Sequence, residues 1–292
     1  MVPGLKKFFA KKPPLSEIEA LRVRHEALFA RLGNLPADIV CEAGQVGPIR
    51  GEWLRPPDAA PGRTLLYFHG GGFVAGSPQS HRGLVARLAR AGEASVFSVA
   101  YRLAPDCVFP APVRDGVDCY RALLATGVSP AGIVLAGDGA GGGLAFAVAL
   151  GIRNAGLAMP AALAAMSPWA DLSLSGWSML RNRARDQRLD WDMLFASARQ
   201  YLKKSNPCDP YASPAFASFR GFPPIMVHAG SAEILRDDAS RLGDRAAESD
   251  IPVSVEIYDG MQHLFQGDAG LREAKASLGR LGQFIRTRTK SG

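Results

Sequence analysis

The chain has 292 residues, of which 47% are hydrophobic and 21% are charged, and its net charge is +7. This composition suits one large α/β domain or two small ones and excludes a disordered chain. Much of the charge lies in the terminal stretches 6–12 and 286–290. Interleaved Lys and Phe in residues 6–12 would suit an anionic lipid surface or a nucleic acid. We favour a solvated segment, because no nucleic-acid-binding motif accompanies it.

The four cysteines, Cys41, Cys107, Cys119 and Cys208, form no C-x-x-C pair and have no metal-ligand spacing with histidine. We therefore expect free thiols in a reducing compartment and no bound metal. No apolar run reaches the roughly 18 residues of a transmembrane helix, and residues 1–14 lack the apolar core of a secretory signal. These features predict a cytoplasmic protein without a transmembrane segment and without a nucleic-acid partner.

The first predicted element is a helix over residues 15–32, where apolar residues recur at helical spacing and Ser16 is placed to cap it. Two short strands follow. From Thr64 onward, apolar runs alternate with helices, which is typical of a parallel sheet covered on both faces. The predicted strands are 39–42, 49–54, 65–68, 95–99, 133–135, 163–166, 225–227 and 253–257. They predict an α/β fold with a doubly wound, mostly parallel eight-stranded sheet.

The alternation of strands and helices stops between Asp171 and Phe216, where Trp, Arg and Met are frequent. This stretch predicts one or two helices inserted outside the sheet. The chain then divides into an N-terminal helical segment, a core in two parts and an insertion. The boundaries are 1–45 for the segment, 46–171 and 217–292 for the core, and 172–216 for the insertion.

The stretch from Gly137 to Gly142, Gly-Asp-Gly-Ala-Gly-Gly, separates a buried strand from a helix with almost no polar face. It matches the dinucleotide motif G-x-G-x-x-G, and it matches the nucleophile elbow G-x-S-x-G except at the serine. A dinucleotide site is disfavoured for two reasons. There is no Asp or Glu between Gly139 and Ala170 to bind a ribose, and at least two strand–helix units precede the motif, which should lie in the first unit of its domain. The elbow is favoured, with position 139 as the place of the nucleophile.

Other stretches that follow strands agree with an elbow. Three successive glycines in Tyr67–Phe73 let backbone N–H groups point inward, as an oxyanion hole requires. Glu233 lies just beyond another strand, and His263 follows the last one. The order of nucleophile position, acid and histidine is the chain order of α/β-hydrolase triads. Asp238 is a weaker candidate for the acid.

With these residues, the chain resembles the hormone-sensitive-lipase-like family of α/β-hydrolases, the esterases with an H-G-G-G loop, from about residue 42 to residue 284. The resemblance rests on several ordered motifs. They are His69–Gly72, Tyr101–Pro105, Phe109–Pro112, the elbow at 137–142, Ser167–Asp171 and Asp259–His263.

The resemblance implies hydrolysis of small-molecule carboxylic esters with short to medium acyl chains, by a Ser-His-Glu acyl-enzyme mechanism without metal or cofactor. It implies that His263 is the general base, that Glu233 orients it, and that N–H groups of Gly71, Gly72 and Ala140 form the oxyanion hole. The N-terminal helix and the 172–216 insertion would form a helical cap. Members of the family often form homodimers, so a homodimer is a possible assembly of this chain.

Further side chains have supporting roles in this interpretation. His69 and Asp138 are expected to hold the glycine loop. Four large side chains are expected either to line the substrate pocket or to pack in the core: Phe73, Trp169, Trp177 and Leu180.

Gly139 departs from the family, which has serine at this position. Glycine offers no nucleophile, so no acyl-enzyme can form, and the chain is expected to be inactive or nearly so. Three explanations stay open: a serine deliberately replaced in an ordinary esterase, a natural pseudoenzyme that binds a ligand, and a hydrolase in which His263 activates water. We favour the first, because the histidine, the acid and the oxyanion loop are all retained.

Overall fold

A computed structural model describes residues 16–29 and 31–289. The lysine-rich stretch 6–12 and the first residue of the predicted N-terminal helix lie outside the described residues. The strands are β1 (Val40–Val46), β2 (Ile49–Arg55), β3 (Thr64–Phe68), β4 (Ser95–Val99), β5 (Ile133–Asp138), β6 (Ala162–Met166), β7 (Ile225–Gly230) and β8 (Val253–Tyr258). The α-helices are α1 (Glu17–Phe29), α2 (Pro78–Gly92), α3 (Ala111–Ala125), α4 (Gly139–Asn154), α5 (Ser178–Arg181), α6 (Trp191–Leu202), α7 (Arg236–Ala247) and α8 (Arg272–Arg288).

The eight strands form one sheet in the order β1-β2-β4-β3-β5-β6-β7-β8. β1 pairs antiparallel with β2, and β2 pairs antiparallel with β4, whereas the remaining pairs are parallel. The predicted fold class is confirmed. The predicted boundary at residue 45 falls inside β1, so the end of the segment 1–45 belongs to the sheet.

The central strands are buried along their whole length, because helices cover both faces of the sheet. Every residue of β3 and β5 is buried. α4 continues directly from β5, and its residues from Gly139 to Leu150 are all buried. This explains why the sequence of α4 has almost no polar face: the helix packs inside the molecule rather than on its surface.

Two segments that are distant in sequence, α1 and the pair α5 and α6, lie outside the sheet, and we refer to them together as the cap. α5 and α6 lie between β6 and β7 in the chain, where the insertion is predicted. α1 packs against α6: Gln200 donates a hydrogen bond to Glu17 at 2.9 Å, and Arg24 forms an ion pair with Asp190. The N-terminal helix and the insertion therefore form one layer.

In the described part of the chain, no helix has both the length and the apolar character needed to cross a bilayer. All four cysteines are free, as predicted. Burial raises the pKa of the Cys119 thiol to about 12. This thiol is therefore protonated and unreactive at neutral pH.

Gly143, in α4, marks the closest approach of this helix to the segment after β6. A Cβ atom at this position would lie 2.0 Å from the carbonyl oxygen of Trp169. We predict that Gly143→Ala lowers the free energy of unfolding by about 1–3 kcal/mol, because helix and backbone must separate. Urea unfolding measures the change.

Gly279 supplies the matched control, since it lies in the exposed face of α8 and a Cβ there meets nothing within 4 Å. Gly279→Ala should raise the free energy of unfolding by about 0.5–1 kcal/mol. Equal effects of the two substitutions would contradict the packing argument.

Candidate active site

The turn between β5 and α4 places Gly139 at the centre of the site. Gly139 has a φ of +50°, a left-handed conformation that costs a non-glycine residue about 1–3 kcal/mol. A Cβ atom on it would lie 3.5 Å from Nε2 of His263 and 3.8 Å from the Cα of Gly70. These are ordinary contacts, so the site has room for a small side chain that points at the histidine.

The glycine loop after β3 lies opposite this turn. Gly71 and Gly72 have φ values of +120° and +61°, and the N–H groups of Val74 and Ala75 both donate to the Gly71 carbonyl, at 3.1 and 3.0 Å. Gly71, Gly72 and Ala140 line the same cavity as Gly139. The structure thus brings the three predicted oxyanion residues together.

Asp138 joins the glycine loop to the elbow. Its buried Oδ1 accepts hydrogen bonds from the Tyr67 hydroxyl at 2.6 Å and from the Gly70 N–H at 3.1 Å. Burial acts to raise the pKa of Asp138, but the neighbouring His81 ring and the Tyr67 hydrogen bond outweigh it and hold the pKa below its usual value. Asp138 therefore stays charged, and its carboxylate fixes the loop.

His69 also supports the loop, by packing rather than by contact with the cavity. Its Nδ1 is 2.8 Å from the Gly70 carbonyl oxygen, and its ring stacks on Tyr101 with centroids 4.3 Å apart. The Tyr101 hydroxyl donates to the His69 carbonyl at 2.6 Å. These contacts hold the His69 ring between the glycine loop and Tyr101, inside the protein.

Glu233 and His263 are adjacent at the end of β7 and after β8. The Nδ1 atom of His263 lies 3.1 Å from Oε2 of Glu233, and the carboxylate is fully buried. The other oxygen, Oε1, accepts from the hydroxyl of Ser167 at 2.7 Å and from the Gly230 N–H. Asp238, the alternative acid, instead binds the backbone around Ala170.

Ser167 is a residue whose role the sequence did not indicate. Its hydroxyl donates to Glu233 and accepts from the Leu264 N–H at 2.9 Å, so it ties the acid to the loop that carries His263. Because its only proton is donated to Glu233 and the residue is buried, Ser167 holds the pair in place and has no proton free for another acceptor.

The cavity beside Gly139 has a volume of about 30 Å³. Of the four large side chains considered from the sequence, Trp169 lines it. Phe73 is buried but stacks on Tyr201 instead, with centroids 3.9 Å apart. Trp177 and Leu180 lie outside it: they are 68% and 67% exposed and line a separate surface groove. The expectation that they are pocket or core residues is wrong, because the chain around the start of α5 exposes both side chains to solvent.

Two polar residues of the cap enter the cavity wall without having been identified from the sequence. His25, on α1, is buried and its Nε2 lies 3.4 Å from the Ser197 hydroxyl of α6. Arg188 donates to the His263 carbonyl at 2.6 Å and pairs with Asp268. His25 has a weak signal in the sequence, since it lies four residues from Leu21 on the apolar face of α1. Arg188 has none.

Three of the buried histidines, His25, His69 and His228, are neutral at neutral pH. Burial lowers the pKa of His25 to about 3, with a further contribution from His263. Burial also lowers the pKa of His69 to about 3 and that of His228 to about 4. His228 Nδ1 is 2.8 Å from the Ser277 hydroxyl in the core.

Comparison with known proteins agrees with this geometry. Residues 65–267 match a protein family described as having the alpha/beta hydrolase fold. An acetyl-hydrolase of Streptomyces hygroscopicus is 41% identical over 280 residues, which cover 94% of this chain and 92% of that protein. An esterase of Acinetobacter venetianus is 36% identical over 238 residues, covering 81% of this chain and 78% of that protein.

Among solved structures, an esterase from the bacterial hormone-sensitive lipase (HSL) family has a TM-score of 0.91 and 38% sequence identity to this chain. The superposition covers 96% of this chain and 94% of that one. The likeness therefore extends over the core and the cap together.

The neutral buried histidines predict how stability depends on pH. Each has a folded pKa below its unfolded value, so its contribution is present above about pH 6.5 and is lost as pH falls toward about 3–4. Lowering the pH from about 7 to about 5 should reduce the free energy of unfolding by about 2 kcal/mol for each of these histidines. Urea unfolding at the two pH values measures the loss.

His228→Asn is the matched variant, because asparagine keeps a polar atom near Ser277 but does not titrate. Its unfolding free energy should change less between the two pH values than that of the parent, by about 2 kcal/mol. The same pH dependence in both proteins would show that His228 is not held neutral.

Proposed function

Because this chain belongs to the hormone-sensitive-lipase-like family of α/β-hydrolases, we propose that its site is that of a carboxylic ester hydrolase with the nucleophile missing at position 139. The names of the relatives, acetyl-hydrolase and esterase, support the ester hydrolase class. The single observation that carries the proposal is the 3.5 Å between a Cβ at Gly139 and Nε2 of His263. A serine there extends one C–O bond further and comes within hydrogen-bonding reach of the base.

The proposed reaction of the serine form follows from this placement. Nε2 of His263 takes the serine proton as the oxygen attacks the ester carbonyl, and the oxyanion accepts hydrogen bonds from N–H groups of Gly71, Gly72 and Ala140. His263 then gives its proton to the departing alcohol. Water then attacks the acyl carbonyl as His263 takes its proton. The bond between the acyl carbon and the serine oxygen breaks, and His263 gives the proton to that oxygen as the acid leaves. Glu233 stabilises the imidazolium through Nδ1.

In the chain as it stands, binding is retained and the covalent step is lost. The positions of Glu233, His263 and the glycine loop support the interpretation that serine has been replaced in an otherwise complete site. A ligand-binding protein and a hydrolase that uses water remain the rivals. The second gains support from the cavity of about 30 Å³ beside His263, since about 10–15 Å³ of such space suffices for one water molecule.

Restoring the serine tests the proposal. We predict that Gly139→Ser raises kcat for a p-nitrophenyl acetate substrate by up to about 10⁶-fold, the loss seen when a serine hydrolase loses its nucleophile. Gly139→Ala adds the Cβ without the hydroxyl and should leave the rate unchanged. A serine variant as slow as the alanine variant would favour the ligand-binding protein.

His263→Gln tests the explanation in which His263 activates water directly. In the Gly139→Ser background it should abolish the gain, because the base is lost. In the parent chain it should change the residual rate little. A large fall in the parent would mean that His263 activates water directly and that the missing nucleophile is not essential.

The small cavity also predicts the acyl chain that the serine form prefers. Because the cavity is small and Leu194 forms part of its buried wall, an acyl chain longer than acetyl would have to displace that wall. We expect kcat/KM for acetate to exceed that for hexanoate at least about tenfold in Gly139→Ser. Adding Leu194→Ala should narrow this ratio, since it enlarges the cavity. An unchanged ratio would place the acyl chain against another wall.

A further inference from the structure

The outer face of the cap carries a cluster of large apolar side chains in contact with solvent. Trp177, Leu180, Trp191 and Phe195 are 68%, 67%, 40% and 42% exposed. We refer to these four residues as the cap patch. Large exposed apolar side chains that occur singly need no explanation, but a contiguous group marks a surface that contacts a partner or a membrane.

The members of the cap patch are neighbours in space. Trp177, Leu180 and Trp191 line one open surface groove together with Arg183. Phe195 stacks on Trp191 with centroids 4.7 Å apart and a tilt of 12°. Leu194, between them in sequence, is buried and lines the cavity beside Gly139. One face of α6 therefore contacts the candidate active site while another carries part of the cap patch.

Three exposed arginines lie close to the cap patch in the chain: Arg183 lines its groove, whereas Arg181 and Arg185 line the neighbouring groove. Arg181, Arg183 and Arg185 are exposed, and among residues 16–29 and 31–289 none of them forms an ion pair. Nearby acids are engaged elsewhere: Asp186 is buried and accepts backbone hydrogen bonds, and Asp190 pairs with Arg24.

Two further acids lie close to this surface. Asp192 is exposed on α6, and Asp259 accepts a hydrogen bond from Ser231. Neither makes an ion pair with Arg181, Arg183 or Arg185 in the part of the chain that is described. Over the whole insertion 172–216, seven Lys and Arg residues stand against four Asp residues, so this part of the chain carries a surplus of three positive charges.

We propose that the cap patch docks the protein on the surface of an anionic phospholipid bilayer. Tryptophan is the side chain that favours the headgroup level of a membrane, and leucine and phenylalanine beside it can enter the acyl boundary. Guanidinium groups pair with phosphate oxygens through two hydrogen bonds each. Arg183 lies in the groove of the cap patch, and Arg181 and Arg185 lie in the groove next to it. Binding of this kind needs no catalytic step and stands whether or not the proposed ester hydrolysis does.

Docking in this orientation would bring the cap side of the candidate active site to the lipid. α6 would lie between the bilayer and the cavity, with Trp191 and Phe195 toward the lipid and Leu194 toward Gly139. The protein would rest on the surface rather than cross it, which agrees with helices too short or too polar to span a bilayer in the described residues.

Sedimentation of the full chain with vesicles tests the proposal. We expect binding to vesicles of phosphatidylglycerol mixed equally with phosphatidylcholine, and weak binding to phosphatidylcholine alone. Changing Arg181, Arg183 and Arg185 together to glutamate should weaken binding by about 100-fold or more, since each basic residue near an anionic surface contributes about 1 kcal/mol. The matched control changes Arg114, Arg220 and Arg272, which are exposed and unpaired in the described structure, to glutamate. This control variant has the same net charge as the first variant and should lose far less of its binding to the mixed vesicles.

The apolar part is tested separately. Trp177→Ser with Leu180→Ser should reduce binding to the mixed vesicles at least about tenfold, because it removes the apolar area that enters the headgroup layer. Val40→Ser is the control, since Val40 is 52% exposed on the edge strand β1. Both serine variants are surface changes and should unfold at the temperature of the parent.

Three results would overturn the proposal. The first is a parent protein that does not sediment with the mixed vesicles. The second is equal loss in the two arginine variants, which would mean unspecific attraction through net charge, including that of residues 6–12. The third is a parent dimer that Trp177→Ser with Leu180→Ser dissociates without any vesicle binding, since the cap patch would then be an interface between two copies.

Discussion

The buried carboxylate of Asp138 is the constraint on which the rest of the candidate site depends. It accepts hydrogen bonds from Tyr67 at 2.6 Å and from the Gly70 N–H at 3.1 Å, so it joins β3, the glycine loop and the start of α4. Taking this charge out of water costs several kcal/mol, which charge-assisted hydrogen bonds and the His81 ring offset. The loop and the elbow keep their positions without any contact from a side chain at position 139. A glycine at this position therefore leaves the surrounding site in place.

The opposite wall of the site depends on a second buried carboxylate. One oxygen of Glu233 accepts a hydrogen bond from the Ser167 hydroxyl, and the other lies 3.1 Å from Nδ1 of His263. The Ser167 hydroxyl also accepts a hydrogen bond from the N–H of Leu264, the residue directly after His263. The acid, the histidine and the loop after β8 are thus held by one short chain of hydrogen bonds. Such a chain keeps the histidine in one orientation before any substrate binds, which is the condition for efficient proton transfer.

The cap connects the candidate site with the outside of the molecule. α1 and α6 are more than a hundred residues apart in sequence, yet His25 and Ser197 meet above the glycine loop. A Cβ on Gly72 would lie 2.8 Å from Nε2 of His25, so the loop and the cap are packed against each other with no spare room. A change on the outer face of α6, such as contact with a lipid surface, is therefore adjacent to the cavity walls.

The sequence by itself determined the eight strands, the insertion and the residues that converge on Gly139. These follow from local signals: apolar runs, glycine turns, and the rule that the carboxyl ends of parallel strands meet at one edge. Only the tertiary structure decided that Trp177 and Leu180 face solvent, and that His25, Ser167 and Arg188 surround the site. These outcomes depend on how α1 and the 172–216 insertion pack on the core. That packing depends on contacts between segments that are distant in the chain, and the local periodicity of the sequence does not predict such contacts.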